Sequence, residues 1–314
     1  MKPMISCFAA VAVLACHASA ADAVTAVREG RQLVVRSGAR EILRYQAEEG
    51  ELPRKDIREI FTRGGYIQSI HSPAGKLVTD DFPPNHLHHH GIWSPWTKTE
   101  FEGREPDFWN MGDGKGRVEF VSVGETWAKD GKVGFKTNHR FIDMTAKPEK
   151  VALLETWNVS VGAEEKAYVI DIDITQTCAT DSPLKLPEYH YGGLGFRGNR
   201  AWDGAANLKV LAASGLTDRD KVNTAKEPWC WVGGEVEGAA CGVTILSHPS
   251  NFRAPQPIRL HPTEPFFCYA PQQTGAMEIV PGKPYQARYR IIVTDGEVDV
   301  EAIRKWAEDY AKVK

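Results

Sequence analysis

From Tyr168 to Thr177 the chain alternates without a break: Ile170, Ile172 and Ile174 fall on one parity, and Val169, Asp171, Asp173 and Thr175 on the other. A period of two puts the isoleucines on one face of an extended segment, which describes a half-buried antiparallel strand and not a helix. The same reading applies to Val24–Val27, Gln32–Val35, Glu41–Tyr45, Ile57–Ile60 and Tyr66–Ser69. It applies again to Val118–Val123, Val133–Asp143, Val151–Val161, Leu208–Ala212, Trp229–Val232, Cys241–Leu246, Phe266–Tyr269 and Tyr285–Thr294. Turn chemistry separates these runs at Asp130-Gly131, Asp203-Gly204, Gly233-Gly234, Pro281-Gly282 and Asp295-Gly296. Helical spacing is convincing only at the end, where Val300, Ile303, Trp306, Ala307 and Tyr310 follow a capping Asp299. The pattern predicts an all-β fold, a large antiparallel β-sandwich with a C-terminal α-helix.

No composition break or long linker divides residues 21–314, which are expected to form one domain, and 314 residues at 42% hydrophobic content can bury a large core. A formal charge of −3 excludes nucleic acid or an anionic membrane surface as the main partner. Residues 1–20 read as a signal peptide: Lys2, an apolar run from Ile5 to Ala15, and Ala18-Ser19-Ala20 as a cleavage site. That run is too short to span a bilayer, and Leu14-Ala15-Cys16 is a poor match to the lipoprotein alternative. The mature protein is expected to be periplasmic or secreted. Cys178, Cys230, Cys241 and Cys268 contain no CxxC pair, so a zinc ribbon is not indicated. Cys230 and Cys241 flank Gly233-Gly234, read as a hairpin turn, and would face each other across it, either as a disulfide or as buried thiols.

The chemistry concentrates elsewhere. Four of the ten histidines stand at 86, 88, 89 and 90, between Pro83-Pro84 and Trp93. Extended, this stretch would place His86, His88 and His90 on one face, able to converge on a metal or flank a small ligand. Gly91 would let a ligand or another backbone come close. A second stretch, Pro187 to Arg197, offers Glu188 and His190 on a shared face for acid–base work or metal ligation, and Arg197 for an oxyanion or a structural ion pair. Asp107-Phe108-Trp109-Asn110 couples a carboxylate to an indole, either as sugar sites do or with Trp109 simply packing its loop, and Ser247 to Arg253 adds His248 and Asn251 at a strand end. No GxSxG, HExxH, dinucleotide-binding or EF-hand pattern is present.

Four stretches carry a resemblance: His86-Leu87-His88-His89 with Trp93; Asp107-Phe108-Trp109; Gly193-Leu194-Gly195-Phe196-Arg197; and Gly242-Val243 through His248, Pro249 and Asn251 to Phe252. With the ending Pro281-Gly282, Arg288-Tyr289-Arg290-Ile291-Ile292-Val293 and Asp295-Gly296, they make the chain resemble a secreted bacterial family of unknown function. Some members of that family bear the label "methane oxygenase PmoA". That label does not suit a mature chain without a spanning segment, because particulate methane oxygenase subunits are membrane proteins. His90 departs from the family, where arginine is more common. The family is similar in expected architecture to the galactose-mutarotase-like supersandwich, whose members often act on sugars with histidine and carboxylate pairs.

Together these readings point to a carbohydrate-active protein, a lyase, hydrolase or epimerase. The catalytic candidates are His88, His89, Glu188, His190 and Arg197; the substrate-binding candidates are His86, Trp93, Asp107, Trp109, His248 and Asn251. Two alternatives use the same residues. One is a sugar-binding protein without turnover. The other is a divalent metal site, with His86 and His88 binding zinc or copper and His190 or His248 completing it.

Overall fold

A computed structural model describes residues 23–313; the signal-peptide reading of residues 1–20 lies outside the described residues. Two eight-stranded antiparallel sheets dominate. The second, in spatial order, is Lys209–Ala212, Trp229–Val236, Ala239–Ser247, Tyr285–Asp295, Ala167–Cys178, Lys150–Ala163, Lys132–Asp143 and Gly116–Lys129. Its strand Ala167–Cys178 shows the alternation at work. Ile170, Ile172 and Ile174 point into the core between the sheets. Asp171 and Asp173 face outward and pair with Arg290 and Arg288 on the neighbouring strand. Val169, also outward, is covered by the terminal helix Val300–Ala311, which packs Ile303 and Tyr310 against Ile292 and Trp229. The Asp299 side chain caps that helix by accepting from the Ala302 amide at 3.0 Å.

The first sheet runs Val24–Glu29, Gln32–Ser37, Arg40–Gln46, Tyr66–Ile70, Ile92–Trp93, Leu194–Arg197, Phe266–Tyr269 and Ile258–Leu260. Its inner face gives Ile67, Ile92, Phe196, Phe267 and Tyr269 to the shared core. Its outer face carries a second aromatic layer, Tyr66, Trp93, Trp109 and Phe266. Gly195 makes that layer possible, since a Cβ there would lie 2.8 Å from the Trp109 ring and 3.2 Å from that of Trp93. A three-stranded sheet, Met277–Ile279, Leu184–Leu186 and Glu100–Phe101, completes the architecture.

A polar chain crosses the apolar core. The Tyr45 hydroxyl on the first sheet meets His139 Nε2 at 2.6 Å, and His139 Nδ1 meets Glu155 Oε2 at 2.7 Å. Glu155 Oε1 accepts from Gln176 Nε2 at 2.7 Å, and Gln176 Oε1 accepts from the Trp96 indole at 2.6 Å. All five side chains are buried and the chain of bonds is continuous.

Two local expectations give way. Ile57–Ile60 is no strand; a 3₁₀ turn, Glu59–Phe61, forms there, and Ile57 and Phe61 bury beside Phe82 and Met111. Gly233-Gly234 is no turn. Both glycines lie inside the strand Trp229–Val236, where space demands them: a Cβ at Gly233 would strike Trp231 and the Cys241 carbonyl, and one at Gly234 the Asn207 carbonyl. The reversal falls at Glu237-Gly238, both with positive φ, the geometry of a type I′ hairpin. Cys230 therefore faces Ile245 and Cys241 faces Gly234, and the four cysteines among the described residues are free.

Candidate functional site

The residues from Asp80 to Gly91 cross the outer face of the first sheet. Their course is set by backbone bonds at both ends, Asp80 N to Arg197 O and Arg197 N to Gly91 O, each 3.0 Å. Gly91 is needed by the neighbouring strand rather than by a ligand: a Cβ would lie 2.6 Å from the Ile67 carbonyl oxygen. Between these anchors the histidines are not extended. His86 N bonds to Pro83 O, and His89 N to His86 O at 2.8 Å, which makes two successive turns. The side chains that come together are therefore three apart, not two. His86 and His89 stack with ring centroids 4.6 Å apart and planes at 15°, and His88 stands edge-on to both.

His90 turns the other way and leaves the site. It is fully buried, with Nδ1 2.6 Å from Asp81 Oδ1 and its ring against Tyr66 and Phe82. Asp81 is held in turn by Tyr66 and Gln68. His90 is a peg that fixes the loop.

A cavity of about 260 Å³ opens above this arrangement. Imidazoles of His86, His88, His89, His190 and His261 line it together with the rings of Trp109, Tyr191 and Phe266, the Asn110 amide and the Arg259 guanidinium. His89 stacks on Phe266 at 4.7 Å. Asn110 Nδ2 donates to the Tyr191 hydroxyl at 3.1 Å. Burial lowers the pKa of every one of these imidazoles. His88 is pushed down to about 3, first by burial and then by repulsion from His86 and His90. His88 is consequently held neutral at neutral pH, where it can accept or donate a hydrogen bond or serve as a ligand.

Among the remaining sequence candidates, His190 reaches the rim, but Glu188 is solvent-exposed and is not part of the lining. The carboxylate near the histidines is Glu264 instead. Arg197, wholly buried, holds it with an Nη1–Oε2 contact of 2.5 Å and reaches Asp203 at 3.0 Å. Arg197 thus sits in an ion-pair network behind the site and not against a substrate oxygen. Trp93 lies wholly buried beneath His89, while Trp109 forms part of the wall. Asp107 is spent on local structure: Oδ1 accepts from the amides of Trp109 and Asn110, both at 2.9 Å, and Oδ2 from the Asn110 side chain. It positions those two residues rather than gripping a ligand.

His248 and Asn251 belong to another part of the molecule. His248 bonds Ser250 through Nδ1 and the Val313 carbonyl through Nε2, beside Tyr310 of the terminal helix. Asn251 bridges Ser247 and the backbone of Arg288. Neither can complete a metal site with His86 and His88.

Sequence reasoning missed Glu264, His261, Arg259 and Phe266. A usable signal existed in His261-Pro262-Thr263-Glu264-Pro265, a histidine and a carboxylate three apart in a proline-framed loop. There His261 Nδ1 accepts from the Glu264 amide at 3.1 Å.

Residues 32–308 match a family described as "Family of unknown function (DUF6807)". The chain belongs to that family. The DUF6807 description gives no support to the methane-oxygenase label. No curated protein matches the chain. Among solved structures, a galactose mutarotase-like protein from Clostridium acetobutylicum is similar at 10% identity, with 88% of this chain and 99% of that one covered and a TM-score of 0.46. A galactose mutarotase related enzyme from Lactobacillus acidophilus is similar at 10% identity, covering 87% and 97%, with a TM-score of 0.41. The GH36 α-galactosidase AgaB from Geobacillus stearothermophilus is similar at 9% identity, covering 87% of this chain and 41% of its own, also with a TM-score of 0.41. Among the described residues, no helix is long and apolar enough to cross a membrane.

Proposed function

We propose that this DUF6807 protein is a secreted, carbohydrate-active protein that takes a single sugar ring into the histidine-lined cavity. The observation that carries this reading is the gathering of Trp109, Tyr191 and Phe266 with Asn110, Arg259 and the imidazoles around one small space. Aromatic faces suit the C–H face of a sugar, and the polar groups among them suit its hydroxyls. At about 260 Å³ the cavity is smaller than the roughly 300–1,000 Å³ that take drug-sized ligands, and suits one ring.

Proton abstraction, as in an epimerase or lyase, is better supported than hydrolysis. Glycoside hydrolysis ordinarily needs two opposed carboxyl groups. The cavity lining contains no carboxyl group, and Glu264 near it is one carboxylate and not a pair. The acid–base candidates become His190, at the exposed rim, and His261, with Tyr191 as a neutral donor because burial raises its phenol to about 12.

The reading is tested by incubating the protein with a panel of mono- and oligosaccharides. New reducing ends, unsaturated products by absorbance, and epimers by chromatography are followed. Turnover of one sugar that falls about 10²–10⁴-fold in His190→Ala supports it. Saturable binding without product selects the sugar-binding protein without turnover. Neither binding nor product with any sugar rejects the carbohydrate reading.

A further inference from the structure

We propose that His86, His89 and Glu264 form a site for one divalent transition-metal ion on the wall of the cavity. The inference goes beyond the carbohydrate reading and stands without it. Its basis is geometric. The ligand atoms of these three residues all lie within 4.8 Å of one another. Bonds of about 2.0–2.2 Å to nitrogen and oxygen place tetrahedral ligands roughly 3.4 Å apart. Closing on an ion therefore asks for ring swings of about an ångström, which imidazoles hinged at Cβ can supply.

Two further features point to a ligand. His89 is only 4% exposed, and its Nδ1 is buried without a hydrogen-bond partner. A buried polar atom without a partner costs stability unless something occupies it. His86 Nδ1 lies 3.0 Å from Glu264 Oε2, yet the two are not aligned as a hydrogen bond. Two acceptor atoms this close, with no hydrogen bond between them, can share one cation.

The surroundings suit this assignment. Glu264 Oε2 accepts from Arg197 Nη1, and Oε1 accepts from Asn85 Nδ2. Arg197 is itself steadied by Asp203. Such outer-shell partners orient a ligating carboxylate while leaving lone pairs free. Two imidazoles and one carboxylate favour zinc, cobalt, iron or nickel over magnesium and calcium, which prefer all-oxygen shells. Three protein ligands also leave a fourth position open, as in catalytic rather than structural metal sites.

The test uses the mature protein without a histidine tag, stripped with chelator and titrated with Zn²⁺, Co²⁺ and Mg²⁺ in turn, with no sugar present. Calorimetry, elemental analysis and the visible d–d absorption of Co²⁺ are recorded. One equivalent of Zn²⁺ and of Co²⁺ should bind, and Mg²⁺ should not. His86→Ala and His89→Ala should each weaken Zn²⁺ binding more than about 100-fold, the upper end for loss of an outer-shell partner. His190→Ala should bind as the wild type does. His86→Gln, which preserves volume, serves if the alanine variant melts early in chelator, and should lose the ion equally. Absence of stoichiometric uptake by the wild type overturns the proposal. So does unchanged affinity in the His86 and His89 variants.

Discussion

Replacing Arg197 with methionine tests whether it is a structural cation rather than an oxyanion group. The guanidinium is wholly buried and meets two carboxylates, at 2.5 Å on Glu264 and 3.0 Å on Asp203. Methionine fills most of the aliphatic volume, so little cavity cost arises, and the loss is electrostatic. Removing one partner of a buried pair costs about 3–5 kcal/mol, chiefly because the other charge is stranded. Here the two carboxylates differ. The Asp203 side chain is 39% exposed and can rehydrate, whereas that of Glu264 is 12% exposed and cannot. One stranded charge places the expected loss at the lower end, near 3 kcal/mol. At about 2–4 °C per kcal/mol for a large domain, Tm should fall by roughly 6–12 °C. Urea denaturation and calorimetry, with chelator present throughout, measure it. The double variant Arg197→Met, Glu264→Gln removes the stranded charge and should recover part of the loss. A fall below about 1 kcal/mol, or a double variant no more stable than the single, refutes this reasoning.

Three other outcomes follow from the geometry. Tyr45→Phe deletes the 2.6 Å bond to His139 and leaves a buried ring nitrogen unpaired, so urea denaturation should show a loss of about 1–3 kcal/mol. Gly195→Ala drives a methyl into the Trp109 and Trp93 rings; it should cost about 1–3 kcal/mol and shift tryptophan fluorescence as the cavity wall moves. Burial, aided by Arg288, lowers His248 below its ordinary value of 6.5. The unfolded chain therefore binds the proton first, and the stability this group contributes is complete above about pH 6.5 and is lost as pH falls through its folded value. Hydrogen exchange of residues 300–311, corrected for intrinsic rates, should quicken between pH 7 and 5 in the wild type, and change less in His248→Gln.

The strands were legible because burial on one face writes a period of two into the residues, as at Ile170, Ile172 and Ile174. The helix was legible from its spacing and its Asp299 cap. Glycine is where the reading slipped, because it serves two purposes. At Gly238 it turns the chain, whereas at Gly233 and Gly234 it only makes room for Trp231, Trp202 and a passing backbone. The histidine stretch announced itself through local density, but its faces did not. The turns after Pro83-Pro84 pair His86 with His89, and no alternation rule anticipates that. Glu264 escaped because its nearness to His86 is made by strand pairing across the sheet, a relation that local sequence does not encode. Conversely, Asp107 and His248 looked like ligands because carboxylates and imidazoles that brace loops are the same chemical groups as those that bind.

The polar chain from Tyr45 to Trp96 also indexes one sheet against the other. Apolar contacts between two sheets are non-directional, and a sandwich held by them alone could settle in several slightly slid alignments. Hydrogen bonds have narrow distances and angles. Tyr45 lies on one sheet, and His139, Glu155 and Gln176 lie on three adjacent strands of the other, so a slide by a single residue would strand several buried groups together. The last link, Trp96, stands just beyond the strand that follows the histidine loop. The position of that loop is thereby keyed to the far sheet, like a vernier read against a fixed scale.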